Sequence, residues 1–351
     1  MSIRALLRTG TTALAGILLA AGLPAVGTAP ASAVGGQWAT TVFAGVPEPG
    51  FPAYAFAHRN GKVYAGSYQD PQGTGVPSKV FEWSARGELL RSWAVPGQDL
   101  AGEHGVQVAN QTRQGRLVVL ETSTSSVRTL NLRTGRWRTI ATLPGATPNY
   151  ATWGPRGRLF VTDYAQGVLW KVSPKGVARP WFRSTALDGV AGFGTTGIVF
   201  RPETRDLLIT QQTSPDTPTQ GHLYRLPIQK GGRPGTLQTL WTSRAGDLPD
   251  GFGIGSSGHV YVALAGLSAQ LVELSATGAE LDRFPDTPIT GDNGSAVPFD
   301  TPCSATFLGS RVLVANQSAI AGDATHQAIL AVDVGETGLA PYLPERAKFR
   351  G

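Results

Sequence analysis

Nine residues of this chain carry side chains able to do chemistry together: Tyr54, Glu103, His104, Asn149, Tyr150, Thr196, Asp250, Cys303 and Ser304. Asp250 and His104 are of the types that take and give protons in general acid–base catalysis, and an unperturbed imidazole titrates near neutrality. Such a pair would serve hydrolysis, isomerisation or cyclisation. Cys303 with His104 would suggest thiol catalysis, although a lone cysteine is more commonly a small buried residue. Tyr54, Tyr150, Cys303 and Ser304 add the mixed lining of a small-molecule pocket. Each polar side chain also has a plainer use, capping a strand end or hydrogen-bonding loop backbone.

What groups these residues is a repeat. A turn residue, a polar residue and a short apolar β-rich run begin at residues 61, 115, 157, 205, 258 and 310, as in Gly157-Arg158-Leu159-Phe160-Val161-Thr162 and Gly258-His259-Val260-Tyr261-Val262-Ala263. Repeats of this length and composition predict an all-β, six-bladed β-propeller. In each unit an inner strand precedes the phrase, the phrase forms the second strand, and a third and an outer strand follow. The loop entering each inner strand points at the axis. Aligning the units on the phrase places Ala53 or Tyr54, His104, Asn149, Thr196, Asp250 and Cys303 around the channel mouth.

The sixth unit lacks an outer strand after Val334, and Ala39-Thr40-Thr41-Val42-Phe43 is a spare one. Its pairing into the last blade would close the ring and remove an open edge. Three long segments, Asp70 to Ser78, Thr213 to Gly221 and Pro285 to Pro302, lie where they could wall the mouth or simply cover the surface. With 45 Gly and 25 Pro in 351 residues, and short apolar runs between turn clusters, long helices are not expected.

The first 33 residues read differently. Arg4 and Arg8, the apolar run Ala13 to Leu23, and Ala31-Ser32-Ala33 fit a cleaved secretory signal, with an uncleaved anchor as the alternative. The expected organisation is therefore signal 1–33, propeller 34–344 and polar tail 345–351, in a secreted protein with no membrane span in the mature chain. One cysteine excludes an intramolecular disulfide and a thiolate zinc site. The net charge of +6 comes without a basic block or basic–aromatic stripe, so nucleic acid is not an expected partner and a small molecule is. Nothing specifies an oligomeric state. Gly192-Phe193-Gly194-Thr195-Thr196-Gly197 spells a dinucleotide fingerprint, but β-rich Ile198-Val199-Phe200 follows it where a helix is required.

Three stretches carry a family resemblance: Leu248-Pro249-Asp250-Gly251-Phe252-Gly253-Ile254 with the strand after it, Asn149 to Phe160, and Thr196-Gly197-Ile198-Val199-Phe200. On these the chain resembles the regucalcin/gluconolactonase family of six-bladed propellers, which includes luciferin-regenerating enzyme. The resemblance implies a divalent cation, usually calcium, held near the axis by a Glu, two Asn and an Asp, with the Asp also the general base in lactone hydrolysis. Asn149 and Asp250 match, Thr196 replaces the second Asn, and the Glu falls at Ala53 or Tyr54, so its carboxylate is missing. Calcium takes six to eight oxygen ligands, and this loss weakens the site unless Glu103 or Asp300 compensates. The resemblance thus implies a metal-assisted lactonase, the cation polarising the carbonyl and Asp250 activating water. A small-molecule-binding propeller with a decayed metal site, or one recruited to cyclisation or isomerisation, remains the alternative.

Overall fold

The computed structural model describes residues 36–68 and 75–349; the expected signal lies outside them, as does part of the first long segment. Six four-stranded antiparallel sheets make up the structure. The first blade is Pro52–Ala57, Val63–Ser67, Lys79–Trp83 and Leu89–Ala94, from axis to rim. The third is Pro148–Gly154, Arg158–Asp163, Val168–Val172 and Ala178–Arg183, and the fifth Pro249–Ile254, Val260–Leu264, Gln270–Leu274 and Glu280–Phe284. In the sixth, the N-terminal strand Thr40–Gly45 takes the outer place against Ala328–Asp333, with Thr40 opposite Val332 and Gly45 opposite Ala328. The ring is closed as the sequence predicts. Among the described residues no helix is long and apolar enough to cross a membrane.

Burial explains why these runs are strands. Second strands such as Val63–Ser67 and Val260–Leu264 are buried at every position, because a neighbouring blade covers each face. They therefore read as continuous apolar runs rather than alternations. The outer strand Leu89–Ala94 is mostly exposed. Side chains of adjacent blades share cores: Phe56, Tyr64 and Val80 of blade one pack with Val106, Val119 and Leu130 of blade two. At that contact a Cβ on Gly66 would lie 1.8 Å from the Val106 carbonyl oxygen, so this position of the second strand, pressed against blade two, must be glycine.

The closing segment is more than a polar tail. Ala347 is fully buried, its carbonyl accepts from Arg113 N at 2.7 Å, and Phe349 lies 5.2 Å from the Trp153 ring. Only the charged side chains around these two contacts give the segment its polar composition.

Candidate functional site

Every inner strand of the first five blades carries a register shift against its second strand; in blades one, three, four and five it falls on the expected axial residue, whereas in blade two it skips Ala109 rather than His104. Pairing skips Tyr54 in blade one, Asn149 and Tyr150 in blade three, Thr196 and Gly197 in blade four, and Asp250 and Gly251 in blade five. A bulge leaves residues out of the ladder and re-aims their side chains. The freed backbone groups are met by hydroxyls on the second strands: Thr162 Oγ1 accepts from Tyr150 N at 2.9 Å, and Thr210 Oγ1 from Gly197 N at 2.9 Å. Tyr54 is held at a φ of 45°, a strained value for an aromatic residue.

At the mouth is a cavity of about 410 Å³. Tyr54, Glu103, Asn149, Asp250 and Cys303 line it as expected. Its centre is a triad of side chains from three blades. The Tyr54 hydroxyl lies 2.9 Å from Asp250 Oδ1 and 3.1 Å from Asn149 Oδ1. Gln212 Nε2 donates to Asp250 Oδ2 at 2.8 Å, and the Tyr164 hydroxyl donates to Gln212 Oε1, fixing which way that amide faces. Tyr150 stacks beneath Tyr54 with centroids 4.1 Å apart and planes at 19°. Gly251 lets the Tyr54 ring come close, since a Cβ there would lie 2.5 Å from Tyr54 Cε1.

Burial raises the Asp250 carboxyl from its ordinary 3.8 to about 7, against the hydrogen bonds from Tyr54, Gln212 and Gly251 N–H that favour the charged form. The phenol of Tyr54 is pushed well above its usual value by burial and then by Asp250. The proton count fits both states of the acid. A phenol has one hydrogen and here faces two acceptor oxygens. When Asp250 is neutral, its O–H can donate to the phenol oxygen while the phenol donates to Asn149. When Asp250 is charged, the phenol turns to it. Cys303 is also pushed well above its ordinary value, by burial first and Asp250 second, and its thiol contacts the Pro52 carbonyl at 3.3 Å. It is a protonated wall residue, not a poised thiolate.

The remaining expected residues do not reach the cavity. His104 is buried with its ring nitrogens 2.9 Å from the Val76 carbonyl and 3.1 Å from that of Gly102, so it ties the first long segment to blade two and is not brought into the lining with Asp250. Thr196 contacts Thr210 Oγ1 at 3.0 Å and donates to the Pro249 carbonyl at 3.2 Å, joining blades four and five. Ser304 accepts from Ala55 N at 3.3 Å and Ala315 N at 3.1 Å, joining blades six and one. These are the strand-linking uses that polar residues at inner-strand ends commonly have. Asp300 accepts from Ile320 N and Ala321 N and organises its own loop. Among the described residues of the three long segments, Thr301 of the last is the one that contributes to the wall.

Sequence reasoning missed Tyr68, Tyr164 and Gln212, which also line the cavity, with Ala265 and Gln317. The same ruler finds them: each stands seven residues after the start of its phrase, at 61, 157, 205, 258 and 310. Seven residues carry the chain through the second strand and out onto the face where the inner strand begins.

Residues 76–301 match the family described as the SMP-30/gluconolactonase/LRE-like region. That is well over half of the chain. The chain belongs to this family. Among solved structures, it is 18% identical to the calcium-binding protein regucalcin from Agrobacterium tumefaciens, covering 88% of this chain and 99% of that one with a TM-score of 0.60. A gluconolactonase from Xanthomonas campestris is 13% identical over 85% of this chain and 88% of its own, with a TM-score of 0.57. Virginiamycin B lyase from Staphylococcus aureus is 14% identical over 82% of each chain, with a TM-score of 0.55. At these identities the structures share a fold. No curated protein sequence matches. Membership of a family that includes gluconolactonases supports lactonase-type chemistry, and hence a hydrolase, in general.

The family's cation can be tested against the residues present. Of the four expected ligand positions, Thr196 is turned into a blade contact and the Glu position holds a phenol. The Tyr54 oxygen sits between Asn149 Oδ1 and Asp250 Oδ1, where a shared cation would have to be, and both Asp250 oxygens already accept hydrogen bonds. One carboxylate and one amide oxygen, so engaged, do not fit calcium, which needs several convergent oxygens at 2.3–2.6 Å. Among the described residues a different group has metal-ligand spacing: His259, Glu273 and Glu336, with ligand atoms within 4.8 Å of one another. It lies at the end of blade five remote from Asp250. His259 Nδ1 and Glu273 Oε1 pair there at 2.6 Å, and the Tyr261 hydroxyl meets both carboxylates.

Proposed function

We propose that this propeller hydrolyses a lactone or similar small cyclic ester in the axial cavity, with Asp250 as general base. The observation that carries this reading is a single carboxyl, buried at the mouth, clamped by Tyr54 and Gln212, and brought to about 7. A base with that value is partly charged near neutrality and still basic enough to accept a proton in the transition state. A water oxygen attacks the ester carbonyl carbon while Asp250 takes one water proton. The carbonyl π electrons move onto oxygen, then return as the ring C–O bond breaks. The Asp250 proton passes to the departing ring oxygen, leaving a hydroxy acid and a regenerated carboxylate.

No step passes through a cation. The family's precedent would supply calcium, whose chemistry is carbonyl polarisation, and chelation distinguishes that reading. The N-terminal pattern points to action outside the cytoplasm, and cleavage between Ala33 and Val34 is readable by mass spectrometry of exported protein. The activity test is a lactone panel assayed by pH-stat with the protein and its Asp250→Ala variant. Hydrolysis by the first, lowered at least about 100-fold in the second, is expected for loss of a general base. Equal rates in both would sink the mechanism, and ligand binding without turnover would make the protein a binding propeller.

A further inference from the structure

The mismatch between the site and a cation leads to a role for the residue that causes it. We propose that the Tyr54 hydroxyl stands in for a metal ion, working as the hydrogen-bond donor to the carbonyl oxygen of an uncharged, ring-bearing ligand.

Three observations converge. The phenol oxygen occupies the space between Asn149 and Asp250, at 3.1 and 2.9 Å, and its single hydrogen, held by one of those oxygens in the free site, can turn to a ligand carbonyl as Asp250 takes up a proton and donates in turn to the phenol oxygen. It is not a passing occupant. The ring is stacked on Tyr150 at 4.1 Å, packed onto Gly251 and held at a positive φ, so vacating the position for a cation would break a close-packed arrangement. A donor oxygen fixed in place before the substrate arrives leaves only its hydrogen to turn during reaction, which keeps the reorganisation small.

The lining supplies the ligand's chemistry. Among the described residues around the cavity there is no Lys, Arg or His, while Glu103 and Asp250 are both present. Phosphates and carboxylates therefore find no counter-charge. Tyr68, Tyr164 and Phe193 offer aromatic surface, and Tyr164 and Phe193 meet edge to face at 6.0 Å. Rings that are apolar on their faces and carry a carbonyl suit such walls. The same charge pattern would expel a carboxylate product. The donor role rests on the hydrolase reading for its carbonyl, whereas the displacement of the cation does not.

The experiment has two arms. In the first, the chelator-treated full chain and Asp250→Asn are titrated with calcium or magnesium chloride to about 10 mM while thermal midpoints are read, since a ligand of the folded state must raise them. No rise that depends on Asp250 is expected. A rise in the natural chain that Asp250→Asn abolishes would overturn the inference. In the second, dihydrocoumarin, an uncharged lactone fused to a benzene ring, is the probe. Calorimetric binding to Asp250→Asn should weaken about 5–10-fold when Tyr54→Phe is added, the loss of one hydrogen bond with the ring stack kept. Turnover by Tyr54→Phe alone should fall about 10–100-fold in kcat with KM raised no more than the about 5–10-fold lost in binding, and chelator should not slow the natural chain. Equal binding by both variants, no binding at all, or turnover restored by calcium after chelation would each overturn it. Failure to hydrolyse any lactone would defeat the hydrolase reading alone, because the cation and binding arms do not need turnover.

Discussion

At the scale of single residues, Asp250 combines cost and use. A carboxyl whose value rises from 3.8 unfolded to about 7 folded binds more protons in the native state between those limits. Stability therefore falls as pH rises from about 4 to 7, by up to on the order of 4 kcal/mol, and levels off above. Asp250→Asn has the donor and acceptor pattern of the neutral acid, with an amide N–H toward Tyr54 and an oxygen toward Gln212. Its melting midpoint relative to the natural chain should climb between pH 4 and pH 8, and a difference that stays flat with pH would contradict the assignment. Residue by residue, the axial positions Tyr54, Asn149, Asp250 and Cys303 were legible because a six-fold phrase works as a ruler. His104, Thr196 and Ser304 were not distinguishable from them by sequence. Whether a residue in the loop entering an inner strand faces the cavity or a neighbouring blade is set by the bulge geometry, which leaves no mark in residue type.

At the scale of elements, the bulged inner strand and the hydroxyls behind it position the chemistry. Gly251 is a point of close approach beneath the cavity, its missing Cβ leaving room for Tyr54 Cε1, the Ser304 backbone and the Cys303 carbonyl. Gly251→Ala should displace the Tyr54 ring and lower stability by roughly 1–3 kcal/mol, as overpacking of a core does. Urea unfolding together with the Asp250-dependent pH profile reads both effects, and a variant unchanged in each would show that the close approach is not needed. The N-terminal strand is the other critical element. It supplies the whole outer edge of blade six. Removing residues 36–46 should expose that edge, lower the melting midpoint by about 10 °C or more and promote association. A truncated chain that melts like the full one would mean the ring holds without its clasp. The spare strand was legible because the sixth unit runs short. The packing of Ala347 and Phe349 was not, since two apolar residues among charges carry no periodicity.

For the molecule as a whole, the six blades create a site that no blade contains. The Asp250 carboxyl is gripped by residues of blades one and four while it sits in blade five, so its protonation reports on closure of the entire ring. Family membership supports lactonase-type chemistry in general, and the loss of two ligand positions sets this chain's site apart from a calcium centre. The most direct measurement is kcat/KM for lactone hydrolysis against pH, by the chelator-treated full chain and by Asp250→Asn. A rise with pH is expected, its limb near pH 7 and unaltered by added calcium, with a loss of about 100-fold or more in the variant at pH 8. Activity that needs calcium, or that survives in Asp250→Asn with the same pH dependence, would contradict it.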